Sequence, residues 1–255
     1  MIRSLSTCVL LTAVLFVSWP SPSYAADTDP VQMLKDMDLI LRGNSQDTTM
    51  AFDVKTKNWE RYYKLHTYMK GLDYSFTRVL EPAKVTGQGF LRVKFRLWNY
   101  LPSAERTVLI PPSLMLDKFM GSDFSNDDLV KMSYYARDYD AKIAGEESVE
   151  GHDTYHLELI PHPDAPITYS KVDLWVRKSD SAPVRSDFYN EKLEIIKTIH
   201  YSEFKTFGTH TTPTVLRVEN HKDKDHETTL TLLDAKFDLD IPDPVFTREN
   251  LEKYP

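Results

Sequence analysis

The sequence predicts a mainly β protein, a strongly curved antiparallel sheet or open barrel fronted by one helix and crossed by a lid of short helices. Three observations carry this expectation. Many short runs alternate apolar and polar residues with period two, as strands with one dry face do. The helical repeats that a parallel βαβ arrangement needs between its strands are missing. A single segment near the start of the chain has sustained helical spacing.

That helix comes first. Asp29 is placed to cap it, Pro30 suits its first position, and Val31, Leu34, Met37, Ile40 and Leu41 share one face. Gly43 supplies a left-handed stop. Strands follow in quick succession. Met50, Phe52 and Val54 alternate with polar residues; Trp59, Tyr63 and Leu65 share the next face; Leu72, Tyr74, Phe76 and Leu80 share a third. Residues 89–97 read as one strand, with Leu91, Val93, Phe95 and Leu97 on a dry face and Arg92, Lys94 and Arg96 on a wet one.

A flap over residues 111–131 follows. Pro111 and Pro112 end the strand, Ser113 can cap a short helix that Gly121 closes, and Asp123 or Ser125 can cap another turn through Asp127, Asp128 and Leu129. Leu114, Met115, Leu116, Phe119, Met120 and Phe124 make the flap apolar. In the second half Tyr155, Leu157 and Leu159 alternate with His156 and Glu158, and Val172, Leu174 and Val176 alternate with Asp173 and Arg177. Further runs fall near 184–190, 193–204, 214–221 and 228–237, with turns at Asn190 and Glu191 and at 222–225. Glu146, Glu147 and Glu150 read as part of a polar connection before Gly151.

The amino terminus reads as a secretory signal peptide over residues 1–25. Arg3 precedes a short apolar run, and Ser23 and Ala25 stand three and one positions before the expected cut. Residues 26–255 then form one domain, expected to be exported. The single cysteine, Cys8, lies inside the signal, so the mature chain has no means of forming a disulfide, a thiol nucleophile or a zinc–thiolate site. Losing residues 1–25 removes one arginine and no acid, which leaves 30 basic against 38 acidic residues, a net charge of −8. Such a balance argues against nucleic acid as a partner.

Candidate chemistry is sparse. Asp123, Asn126, Asp127 and Asp128 lack the alternating register and downstream glutamate of a calcium loop, and helix capping accounts for them. His152 and His156 on one strand stand roughly 13 Å apart, too far to share a metal ion. Residues 221–226 read as a solvated hairpin tip. No nucleophile elbow or phosphate loop is present, so no catalytic residue, cofactor or metal is expected. An apolar sheet face under a thin cover instead suggests a cavity for an apolar ligand, and Met115 and Met120 suit it because thioethers adapt to varied hydrophobic shapes.

Leu97 and Trp98, then Tyr100, Leu101 and Pro102, then Arg106, Ile110, Pro111, Pro112 and Ser113 form a distinctive series. Met120 to Phe124 and Asn126 to Leu129 extend it. Phe76, Thr77 and Arg78, Pro82 to Lys84, and Asp173 to Val176 also fit. Together they resemble the LolA-like outer-membrane lipoprotein-sorting proteins, in the branch associated with RND/MMPL-type exporters, over roughly residues 30–250.

The resemblance implies a half-open barrel whose interior holds acyl chains of lipids or lipoproteins and carries them without chemistry. Its expected partners are an RND/MMPL-type inner-membrane transporter and an outer-membrane acceptor. The expected cavity or lid residues are Leu91, Val93, Phe95, Leu97, Leu114, Met115, Phe119, Met120, Leu157 and Leu159, with Arg106 at the headgroup or lid. A second reading makes the protein an accessory subunit that docks on such an exporter and carries no cargo.

Overall fold

Alternation of apolar and polar residues builds almost the whole molecule. The computed structural model describes residues 28–131, 135–165 and 167–253. The expected signal peptide, with Cys8, lies outside the described residues.

Helix α1 (Pro30–Arg42) starts as its residues dictate. The Asp29 carboxylate accepts a 2.9 Å hydrogen bond from the Val31 amide, Pro30 occupies the first turn, and Gly43 at φ 58° donates its amide to Leu39 O. Met33, Leu34 and Met37 are buried against the sheet.

The first six strands are β1 (Ser45–Lys55), β2 (Glu60–Lys70), β3 (Tyr74–Glu81), β4 (Gly89–Val93), β5 (Arg96–Leu101) and β6 (Arg106–Leu109). The other seven are β7 (Tyr139–Val149), β8 (His152–Pro161), β9 (Lys171–Arg177), β10 (Pro183–Tyr189), β11 (Ile195–Phe207), β12 (His210–Asn220) and β13 (Glu227–Phe237). Among the described residues they form one antiparallel sheet in the order 6-5-4-3-2-1-13-12-11-10-9-8-7. Two meanders therefore meet where β1 pairs with β13, and the sheet is not closed into a barrel. Its free edges are β6 and β7. The segment between them in the chain, residues 110–138, is the flap, so it has to cross from one edge of the sheet to the other.

The sheet has two apolar faces, each with its own cover. On the concave side a large cluster gathers Phe52, Leu65, Val79, Phe90, Leu97, Leu157, Leu159, Val172, Leu174 and Phe188 beneath α1 and the flap. On the opposite side Phe76 and Leu91 meet Ile241, Phe246 and Leu251 of the carboxyl-terminal segment. That segment makes a short turn (Asp243–Phe246) and helix α4 (Arg248–Lys253). It is docked by Arg78, a residue 1 % exposed whose guanidinium donates to Gly87 O (2.7 Å) and Leu251 O (2.8 Å).

Two expectations about strands are corrected. Residues 89–97 are a hairpin, because Lys94 adopts φ 54° and turns the chain so that Val93 pairs with Arg96 and Leu91 with Trp98. The stretch containing Glu146 and Glu147 is the edge strand β7, paired with β8 along its length.

Candidate functional site

The floor of the site is set by register. Directly paired residues Tyr63, Phe52, Leu230, Leu216 and Tyr201 run in one row across β2, β1, β13, β12 and β11. Met50 and Leu232 pair in the next row. Because side chains alternate across a strand, both rows point to the concave side. There all of them but Tyr63 line a cavity of about 220 Å³ with Leu41 of α1 and with Phe124 and Leu129 of the flap. Polar groups at its wall are few: Arg42, Gln46, Asp128, Tyr135, Tyr201 and Thr212. Burial, the largest influence, pushes the Tyr201 phenol up to about 12, and its oxygen accepts a 3.4 Å hydrogen bond from the Ser186 hydroxyl.

The flap roofs this floor. It contains turns at Pro112–Leu114 and Phe119–Gly121, then helices α2 (Asn126–Lys131) and α3 (Tyr135–Asp138). Phe119 and Phe124 sink to 3 % and 5 % exposure, their rings lying 6.2 and 5.9 Å from Phe52, with Phe119 4.7 Å from Phe90. Burying each ring stabilises the closed flap by roughly 1.5–3 kcal/mol. Its backbone is knitted to itself: Asp127 N donates to Met115 O, Asn126 Nδ2 donates to Leu114 O, and Lys118 bridges Ser125. Ser125 and Asp128 exchange side-chain and backbone bonds as a capping pair, 2.7 and 3.1 Å.

The flap's acids do more than cap, because they tie it to the sheet. Asp128 is buried and accepts from Lys197 Nζ (2.8 Å) on β11 and from the Tyr169 hydroxyl (2.7 Å). Lys197 Nζ is also 2.6 Å from Tyr169 Oη and lies over the rings of Phe188 (4.6 Å) and Phe124 (5.8 Å). Burial acts to raise the Asp128 pKa, yet the charge of Lys197 and the bonds from Lys197, Ser125 and Tyr169 outweigh it and hold the carboxyl below its ordinary value. The Tyr169 phenol is pushed well up, first by burial and then by the Asp128 charge.

The remaining ties spread across the flap. Asp127 accepts from the Thr168 hydroxyl at 2.6 Å. Asp123 receives Asn220 Nδ2 and the Thr228 hydroxyl, each at 2.8 Å, and meets His226 Nδ1 at 2.8 Å. From β4, Arg92 donates to Val130 O at the end of α2 (3.2 Å).

The residues expected at the site separate into groups. Leu97, Phe119, Leu157 and Leu159 are buried in the concave cluster, and Met115 and Met120 pack against it. Leu114, Phe119 and Met120 line a second recess of about 300 Å³ between the flap and β2, β4 and β5. Leu91 and Val93 face the other way, onto the carboxyl-terminal segment, because the hairpin at Lys94 reverses the alternation assumed for a single strand. Phe95 sits at that hairpin tip, 49 % exposed, beside the Arg137 guanidinium. Arg92, expected on a solvated face, is fully buried under the flap. Arg106 is exposed at the start of edge strand β6 and lines neither the cavity nor the recess.

The cavity's own lining includes Met50, Phe52, Leu216, Leu230 and Leu232, which sequence reasoning placed on strand faces or in runs without selecting them. The tether residues Lys197 and Tyr169 were not selected at all. The available signal was a lysine in an otherwise apolar concave series, Lys197, Ile199 and Tyr201, at the spacing of one strand face.

Comparisons with known proteins agree with this architecture. A family model described as that of an uncharacterized protein matches residues 71–253, well over half of the chain. No curated protein matches it. A solved DUF1329 family protein from Desulfovibrio piger is similar at 27 % identity and a TM-score of 0.80, over 88 % of this chain and 100 % of that one. A LolA superfamily protein from Nitrosomonas europaea is similar at 26 % identity and 0.74, over 88 % and 99 %. A domain from Vibrio parahaemolyticus named for outer membrane lipoprotein sorting shares the fold at 22 % identity and 0.76, over 88 % and 98 %. With its open antiparallel sheet, its roofed concave face and these relatives, the chain belongs to the LolA-like family.

Proposed function

We propose that the protein is a periplasmic carrier. It takes acyl chains of lipids or lipoproteins into the space between the concave sheet face and the flap and shuttles them towards the outer membrane. An RND/MMPL-type inner-membrane transporter would donate the cargo and an outer-membrane acceptor would receive it. The observation that carries this reading is the apolar cavity floored by Phe52, Leu216 and Leu230 and roofed by Phe124 and Leu129. Each buried lipid methylene contributes about 0.8 kcal/mol before the costs of association, so a long chain binds without any reactive group. Sorting of lipoproteins is in the name of the Vibrio parahaemolyticus relative, and membership of the same family supports a lipid-anchored or lipid cargo here.

One observation favours the accessory-subunit reading. The cavity, at about 220 Å³, is smaller than the roughly 300 Å³ at which ligand pockets usually begin, so the flap has to move before a long chain fits. Native mass spectrometry of the protein taken from its own periplasm, with extraction of whatever is bound, separates the two. The carrier reading expects acyl lipid in stoichiometric amount. Protein recovered empty, and unable to take up a fluorescent fatty acid, supports the cargo-free subunit.

A further inference from the structure

Two cations stand near the cavity, Arg42 at its wall and Lys197 behind it, and they differ in what opening the flap does to them. Arg42 pairs with Asp38, and both lie on α1 four residues apart, so the pair stays intact wherever the flap goes. Lys197 is on β11 while its carboxylate, Asp128, is on the flap, and the two side chains are only 7 % and 2 % exposed. The ammonium sits one hydrogen bond behind the cavity lining, since Asp128 itself lines the cavity. Lifting the flap therefore strips Lys197 of its anion while leaving it against the rings of Phe188 and Tyr169. A buried charge without its partner is strongly unfavourable. The open state consequently calls for a replacement anion at Lys197, next to a vacated apolar cavity.

We propose that Lys197 is a headgroup site: the cargo is an acyl chain bearing an acidic group, whose oxyanion takes the place of Asp128 on Lys197 and Tyr169 while the chain occupies the cavity. This rests on the carrier reading and sharpens it, because it makes the protein selective for acidic over neutral amphiphiles. The Tyr169 hydroxyl, which donates to Asp128 in the closed flap, would donate to the incoming oxyanion in the same way. Asp128 then acts as a surrogate ligand, holding the flap shut in the empty protein and leaving when a true anion arrives. A charge-assisted hydrogen bond discriminates strongly between an oxyanion and a hydroxyl.

The test compares binding of hexadecanoic acid, hexadecyl phosphate and hexadecanol to the full protein at pH 7, with dissociation constants read by displacement of a fluorescent probe. At least one acid is expected to bind about tenfold or more tightly than the alcohol, and which acid wins distinguishes a carboxylate from a phosphate source. In the double variant Lys197→Met with Asp128→Asn, which removes both charges together, that preference is expected to vanish while hexadecanol still binds. Equal binding of acid and alcohol by the wild type overturns the headgroup site and leaves the carrier reading standing. A preference that survives in the double variant and disappears in Arg42→Gln moves the headgroup to α1, also overturning it. Binding of none of the three overturns the carrier reading and the headgroup site together.

Discussion

Asp128 shows how differently one residue behaves alone and in its pair. Its capping role with Ser125 would be worth about 1 kcal/mol at an exposed helix start, but its bond to Lys197 lies in the dry interior. Asp128→Ala should therefore cost about 3–5 kcal/mol, because Lys197 is left charged and buried. The double replacement Lys197→Met with Asp128→Asn should cost clearly less than that. Urea denaturation of the three proteins checks the order.

Asp173 offers a second test at this scale. Although burial raises its pKa, the His156 imidazole 3.2 Å away and hydrogen bonds from Lys171 and Tyr189 hold its carboxyl down at about 2. A depressed folded value means that the stabilisation is present above the ordinary value of 3.8 and is lost as the pH falls from there towards 2. The urea midpoint should accordingly drop between pH 5 and pH 2 more in the wild type than in Asp173→Asn. Parallel curves would remove Asp173 from the acid response.

The elements divide into those a short pattern announces and those it hides. Helix α1 was legible from Asp29, Pro30 and Gly43, and most strands from period-two alternation, because each depends on its own residues. The hairpin at Lys94 was not. Its turn has no glycine, asparagine or proline, and it depends on the Lys94 amide being held by Asp73 O at 2.7 Å, a contact from another strand connection. Arg92 misled for a related reason: alternation tells two faces apart but not which one a flap's carbonyl will cover. The carboxyl-terminal segment was missed because Ile241, Phe246 and Leu251 follow no strand period, their spacing being that of a turn and a single helical turn laid on a sheet.

Gly89 belongs to that last docking. A Cβ there would stand 2.7 Å from both the Arg78 guanidinium and Leu251 Cδ1. Gly89→Ala should release α4 from the sheet, raising amide exchange in residues 241–253 while strands β8 to β12 stay protected. Unchanged exchange across 241–253 would show that Arg78 can move aside.

At the scale of the whole molecule, the sheet order explains why the cavity lies where it does. Both meanders run outward from the β1–β13 junction to the free edges β6 and β7, and the flap joins those edges across the concave side. The gap between α1 and the flap falls over the junction itself. Met50, Phe52, Leu230 and Leu232 thus line the cavity, while Leu157 and Leu159 lie in the filled part of the core. The sequence displayed all of these as apolar strand residues. Which strands would lie under the gap is a property of the closure between the first and last strands, and no local pattern contains it. The flap, by contrast, was legible as an apolar lid, and its Phe119 and Met120 do line a recess.

The same geometry predicts how to block the site without dismantling the fold. Leu216→Trp adds bulk at a half-buried position facing the cavity, so it should reduce fatty-acid uptake severalfold with a stability change within about 1–3 kcal/mol. Full uptake by that variant would place the ligand elsewhere.

Photo-crosslinking decides whether acyl chains lie between the concave sheet and the flap. Hexadecanoic acid with a diazirine at its methyl end is irradiated with the protein, and the labelled peptides are mapped. That placement predicts labels on strands β1, β12 and β13 and on the flap, at Met50, Phe52, Leu216, Leu230 or Phe124. Labels confined to the opposite face around Leu91, Phe246 and Leu251, or no label at all, would contradict it.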